Sequence, residues 1–153
     1  VKVTILEERF RFEGHKKKVM DVIEIILPMH IVSCSLDRKI MLWDFKEGCL
    51  VAELIEHTSG VRQLDYQKSY GGNMLSVGFE TCINVWCPEV SISGSLMGKL
   101  EGHNSPVVNC RFIQGTPQCT SVDEKGNVRI WDIRSLTVLQ IITWESGKLD
   151  ISK

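Results

Sequence analysis

Two sets of residues in this chain carry the side chains of a hydrolytic triad, and a third carries two of the three. His15, Ser33 and Asp37 form the first, and His57, Ser76 and Glu80 the second. His103 and Ser121 begin a third, in which Lys125 stands at the acid position. A histidine that takes a proton from a serine and is oriented by a carboxylate is the machinery of nucleophilic acyl transfer. Each set keeps its distance from a tryptophan, Trp43, Trp86 or Trp131. The serine lies 10 residues before it, the acid position 6, and the histidine 28, 29 and 28. Recurrence argues against catalysis, since a reaction needs one centre and here the same set comes three times. A structural chain fits better, running from indole N–H to serine, serine to histidine, and histidine to carboxylate. A tryptophan in a core must satisfy its N–H, and a buried histidine must satisfy both ring nitrogens. Glu80 is one methylene longer than aspartate. Lys125 predicts an incomplete third set, unless Asp123 reaches the histidine by a different path, so the first set should be the best stapled.

The elements that must position these residues are short strands. Residues 31–44 (IVSCSLDRKIMLWD) join two apolar runs around a polar turn, which reads as an antiparallel hairpin. The cassette returns at 74–87 (MLSVGFETCINVWC) and 119–132 (CTSVDEKGNVRIWD), with the tryptophans 43 and 45 residues apart. A period of this size signals a repeat architecture. Further strands are expected at 19–26, 49–54, 61–66, 95–100, 107–112 and 137–142, with an edge strand at 9–12 and a turn at 69–73. Residues 144–153 read as a tail, either the start of another unit or a frayed terminus. No segment holds an amphipathic helical period over three turns. The fold class is therefore all-β, built from three four-stranded antiparallel units at about 14–55, 56–100 and 102–143.

The pairs Gly14, His15 and Gly102, His103, with Trp43, Asp44 and Trp131, Asp132, resemble the WD-repeat family of β-propellers. The wording is also similar to the large protist and ciliary WD-repeat proteins that often carry EF-hands, although no EF-hand loop occurs here. The second unit departs from the pattern, with Glu56 before His57 and Cys87 after Trp86. The resemblance implies blades packed radially around an axis, across residues 1–153, as an incomplete propeller. Three blades cannot close a ring. Either remaining blades of a longer protein or a second copy must complete it, and the start at Val1 rather than Met favours a piece of something longer.

In such a propeller the loop after each histidine and the turn before each acid position share one end of the channel. That names Lys18, Met20 and Leu36, then Gly60, Arg62 and Phe79, then Pro106, Val108 and Glu124 as candidate protein-binding positions. Leu36 and Phe79 are large apolar residues in turns, where exposure suggests a contact surface and local packing is the bland alternative. The basic run Lys16, Lys17 and Lys18 suits a phosphate or acidic peptide, or is simply a solvated loop. The expected function is a non-catalytic scaffold for protein or peptide partners, in a cytoskeletal or ciliary assembly. The competing readings are a hydrolase using one His/Ser/Asp set, decided by whether Ser33 is reachable or dry, and an RNA-binding propeller.

Composition speaks against the last of these, the RNA-binding propeller. Lys plus Arg is 18 and Asp plus Glu 19, a net charge of −1 that gives no general pull toward nucleic acid or membrane. The run 22–32 is broken by Glu24, Pro28 and His30, short of a membrane span. The six cysteines include no C-x-x-C pair, so no structural zinc is expected, and no cofactor either. They read as reduced, mostly buried thiols, consistent with a cytoplasmic setting. Cys82 and Cys87 lie on opposite faces of one strand.

Overall fold

The structure, a computed structural model, describes residues 11–25, 29–88, 95–145 and 148–152. It contains three antiparallel sheets. The first runs β1 (Val19–Ile25), β2 (His30–Ser35), β3 (Ile40–Asp44) and β4 (Leu50–Leu54) in spatial order. The second runs β5 (Val61–Gln67), β6 (Asn73–Gly78), β7 (Cys82–Cys87) and β8 (Ser95–Glu101). Its first hairpin turns through one short helical segment, α1 (Ser69–Gly72), in which Tyr70 and Gly71 have φ of 60° and 96°. The third runs β9 (Val107–Ile113), β10 (Gln118–Asp123), β11 (Val128–Asp132), β12 (Thr137–Glu145) and β13 (Lys148–Ser152). It has five strands rather than four. Of the expected tail at 144–153, residues 146, 147 and 153 lie outside the described residues; the rest is paired, since β12 runs on to Glu145 and β13 folds back against it, with Ile142 opposite Ile151. Of the expected edge strand at 9–12, residues 9 and 10 lie outside the described residues, and Arg11 and Phe12 are not in a strand.

The side-chain period of two explains how the sheets stack. On β6 every residue is buried. Met74 joins the core shared with the first sheet, beside Ile25, Val32, Leu42, Leu64 and Trp86. Its neighbour Leu75 joins the core shared with the third sheet, beside Val85, Leu100, Phe112 and Trp131. A strand covered on both faces reads as a continuous apolar run, while one covered on a single face alternates. β10 alternates, with Cys119, Ser121 and Asp123 buried and Gln118, Thr120 and Val122 less so.

The innermost strands are tied by side chains that bond the neighbouring backbone. Asp21 accepts the Leu64 N–H at 2.9 Å. Gln63 holds the same place in the second sheet; it donates to the Cys110 carbonyl at 2.9 Å and accepts its N–H at 2.8 Å. Asp65 accepts the Phe112 N–H at 2.7 Å and pairs with Arg111.

Two bulges recur in every sheet. One lies opposite the tryptophan, where the register shifts between Leu42 and Trp43, Val85 and Trp86, and Ile130 and Trp131. The other lies near the mouth of each inner strand and leaves Met20, Arg62 and Val108 unpaired. An extra residue re-aims its side chain and increases the local twist.

Candidate functional site

The three polar sets close around their tryptophans with almost one geometry. Trp43 Nε1 donates to Ser33 Oγ at 2.8 Å, and Ser33 Oγ lies 2.8 Å from His15 Nε2. His15 Nδ1 is 3.0 Å from Asp37 Oδ2. In the second set the two serine bonds, from Trp86 and to His57, are both 2.7 Å. In the third, Trp131 to Ser121 is 2.8 Å and Ser121 to His103 is 2.7 Å. The serine accepts from the indole, so its own proton goes to Nε2, which leaves the Nδ1 proton for the carboxylate.

The third set is complete, contrary to the expectation from Lys125. His103 Nδ1 meets Asp123 Oδ2 at 3.1 Å, and Lys125 is exposed. Asp123 stands two residues after Ser121, and residues two apart on a strand share a face. Its carboxylate also accepts the Lys125 N–H, the Asn127 N–H and the Asn127 side-chain amide. Burial pushes this carboxyl up, but the Asn127 bonds and His103 outweigh it and hold it at about 2.

The second set, rather than the third, is the loose one. His57 Nδ1 is 3.5 Å from Glu80 Oε1 and makes no hydrogen bond of good geometry. Glu80 Oε1 instead accepts the N–H groups of Thr58 and Ser59 at 2.6 and 2.8 Å. The first set is therefore matched by the third in stapling, not superior to it. Burial lowers His57 and His103 below the ordinary histidine value, against the opposing pull of their acids.

A cavity of about 660 Å³ borders the first set and is lined by Phe12, Val19, Val22, Ile31 and Trp43 as well as His15 and Ser33. The equivalent indoles lie in cores shared with the preceding sheet: Trp86 in the cluster that holds Val32 and Leu42, and Trp131 in the one that holds Val85 and Leu100. The cavity thus lies on the face of the first sheet that corresponds to a sheet-to-sheet contact. The side chains of His15 and Asp37 are each 6% exposed, and the Ser33 hydroxyl is engaged from both sides.

The nine candidate binding positions converge at one end of the sheets. Three equivalent backbone bonds clip turn to loop: Leu36 N–H to the Lys18 carbonyl, Phe79 N–H to Gly60, and Glu124 N–H to Pro106, at 2.9–3.1 Å. Met20, Arg62 and Val108 are the bulged residues beside those clips and are half-buried. The clips also touch across the sheets. Leu36 lies against Gly60, where a Cβ would meet its Cδ2 at 3.0 Å. Val107 N–H donates to the Glu80 carbonyl at 2.9 Å. Within the second sheet's own clip, Gly78 leaves room for the Gly60 carbonyl: a Cβ at Gly78 would stand 2.3 Å from its oxygen.

The two apolar turn residues differ. Leu36 is half-buried against Gly60, which is the bland packing alternative. Phe79 is 45% exposed, with the Arg62 guanidinium 4.8 Å from its ring centre. Arg62 in turn reaches Glu124 at 3.6 Å. Sequence reasoning missed Arg38, which sits on the same rim with φ of 74°. The signal was present, because Gly126 lies at the same distance before its tryptophan and has φ of 82°.

Among the described residues no cluster of His, Cys, Asp or Glu is arranged for a metal ion. All six cysteines are free. Burial raises the thiols of Cys34 and Cys119 to about 12 and pushes that of Cys110 well above its ordinary value, so none of these three offers a nucleophile. No helix among the described residues is long and apolar enough to cross a membrane.

Comparison with known proteins agrees with this geometry. The family described as WD40 (WD domain, G-beta repeat) matches residues 6–44 and 94–132. The chain is 31% identical over 145 residues to cilia- and flagella-associated protein 337 B of Tetrahymena thermophila, covering 94% of this chain and 11% of that protein. It is 29% identical over 140 residues to nuclear distribution protein nudF 1 of Talaromyces marneffei, covering 91% of this chain and 30% of that one. Among solved structures, the RRP9 WD40 repeats superpose with a TM-score of 0.79 at 17% identity, over 88% of this chain and 41% of the other. That likeness bears on the fold alone.

Proposed function

Because the chain belongs to the WD40 family, whose members generally act as protein-interaction scaffolds, we propose that it is a non-catalytic scaffold that binds protein or peptide partners at the rim formed by Lys18, Met20, Leu36, Arg62, Phe79, Val108 and Glu124. The observation that carries this reading is the exposed Phe79 ring under Arg62, at the centre of a rim that runs through all three sheets. A half-exposed aromatic flanked by a guanidinium is the composition that interface centres favour. A cytoskeletal or ciliary assembly is the setting suggested by the ciliary and nuclear-distribution relatives. The chain spans 11% of the first and 30% of the second, so further blades from a longer protein, or a second copy, are the proposed means of closing the ring.

Affinity capture compared between the chain and Phe79→Ser tests this. Loss of specific partners at an unchanged melting temperature supports it, and retention of all of them refutes it. Phe79 is the better probe than Leu36, whose removal also strips a contact with Gly60. The cavity beside His15 and Ser33 favours a second reading, a hydrolase. The indole–serine–histidine bonds there match those of the two sealed sets, so the same bonds serve the same purpose in all three. Covalent labelling of Ser33 by a fluorophosphonate would reverse this.

A further inference from the structure

The rim is not electrically uniform, and its asymmetry names a partner class. The loop 16–18 is pinned to the first hairpin turn by three bonds. Lys16 N–H donates to Asp37, Ser35 Oγ donates to the Lys17 carbonyl, and Leu36 N–H donates to the Lys18 carbonyl. These bonds use backbone atoms of the lysines and leave the three ammonium groups exposed. Arg38 projects from the same turn and is also exposed. None of these four cations pairs with a carboxylate among the described residues. The nearby acid is already used, since Asp37 accepts from His15, Lys16 N–H and Lys39 N–H, and Lys39 itself pairs with Glu53. Four exposed cations at one corner of a chain with net charge −1 are a local field, not an average property.

Arg38 adds an independent observation. Its φ of 74° is a left-handed conformation, uncommon for a residue with a long side chain. The equivalent turn in the third sheet uses Gly126 at φ 82°, with the same pair of turn bonds: Arg38 N–H to Ser35 and Gly126 N–H to Asp123. The first turn therefore holds an arginine where glycine is the unstrained choice, which points to a use for the side chain. From this corner direct contacts lead through Leu36 and Gly60 to the exposed Phe79.

Resting on the scaffold reading above, we propose that this rim binds an acidic peptide segment, with its carboxylates over Lys16, Lys17, Lys18 and Arg38 and an adjoining apolar side chain against Phe79. The attraction is charge-assisted and in part solvent-exposed, so it weakens as salt is added.

Fluorescence anisotropy on the full chain tests the proposal, using a fluorescein-labelled peptide of Glu and Asp with one central Leu. The control replaces every acid by its amide. The acidic peptide is expected to bind at least about tenfold more tightly than the amide peptide at low salt. Combining Lys16→Ala, Lys17→Ala, Lys18→Ala and Arg38→Gly should remove that preference, and Phe79→Ser should weaken the acidic peptide further. Arg38→Gly alone should leave the melting temperature unchanged or higher, because it relieves the backbone while removing a cation. Equal binding of the two peptides overturns the proposal, as does an acidic preference that survives the fourfold variant. Cation-dependent binding to phosphatidylserine vesicles without peptide binding also overturns it, in favour of a membrane surface. If the peptide fails while partner capture stays sensitive to Phe79→Ser, the acidic class is wrong and the scaffold stands. If both fail, the scaffold reading falls as well.

Discussion

Replacing Asp123 by asparagine separates the third polar set seen in the structure from the one that spacing predicts. Asp123 is 2% exposed and serves His103 and the amides of Lys125 and Asn127 at once. Its carboxyl is held at about 2, against ~3.9 for an aspartate in an unfolded chain. That difference corresponds to roughly 2–3 kcal/mol of native-state stability. Its side chain is almost fully screened from solvent, so little discount for water applies. Asparagine keeps one acceptor and turns a donor toward groups that themselves donate, so the expected loss for Asp123→Asn is about 2–3 kcal/mol at neutral pH.

In urea, followed by tryptophan fluorescence, the midpoint should fall by roughly 1 M if the slope is that usual for a chain of this size. The control is Lys125→Ala, at the position that spacing assigns to the acid, which should stay within ~0.5 kcal/mol. The pH dependence has a definite sign. A depressed carboxyl contributes its stability above the unfolded value of ~3.9 and loses it as pH falls toward about 2. Parent and variant should therefore converge between those limits. A variant as stable as the parent at pH 7, or a gap that persists unchanged below pH ~3, would refute the assignment of Asp123 as the third acid.

Two further outcomes are expected from the same denaturation assay. Asn84 is fully buried on β7, and neither side-chain atom finds a hydrogen-bond partner among the described residues, at the place where β3 carries Met41. Asn84→Leu, which keeps the branching and removes both polar atoms, should stabilise the chain by about 1–2 kcal/mol; destabilisation would mean that the amide is satisfied. His57 and His103 are held below the ordinary histidine range by burial. The unfolded chain then takes up their protons first, so stability should fall as pH drops below ~6.5. NMR of the imidazole protons should show both rings still neutral where an exposed histidine titrates, and a normal titration would contradict the burial argument.

The recurring tryptophans made the fold readable because a repeat imposes one solution three times. The indole needs an acceptor, the serine ten residues earlier supplies it, and that requirement fixes the hairpin between them. What spacing from the tryptophan concealed was parity. Counting six residues back lands on Lys125, whereas following the face of β10 from Ser121 lands on Asp123. Leu36 shows a different limit. Its turn is legible in the sequence, but the residue that shields it, Gly60, lies in the loop leading into the next sheet. The bulges at Met20, Arg62 and Val108 leave no compositional mark, since they arise from the register of pairing partners. The β12–β13 hairpin was equally hidden: its pairing is a property of residues 137–152 outside the repeated cassette.

Cohesion between the sheets follows a rule that tolerates such local irregularity. Asp21 and Gln63 occupy equivalent places on β1 and β5, differ in charge, and both bond backbone groups of the next inner strand. Backbone groups are present whatever the residue, so the tie depends on reach and polarity rather than on a matched pair of side chains. Asn109 holds the same place on β9, opposite Val122, and is exposed. Shorter than glutamine by one methylene and equal in reach to aspartate, it offers both an amide donor and a carbonyl acceptor. The third sheet thus presents on its inner strand the same kind of side chain that joins the first to the second and the second to the third.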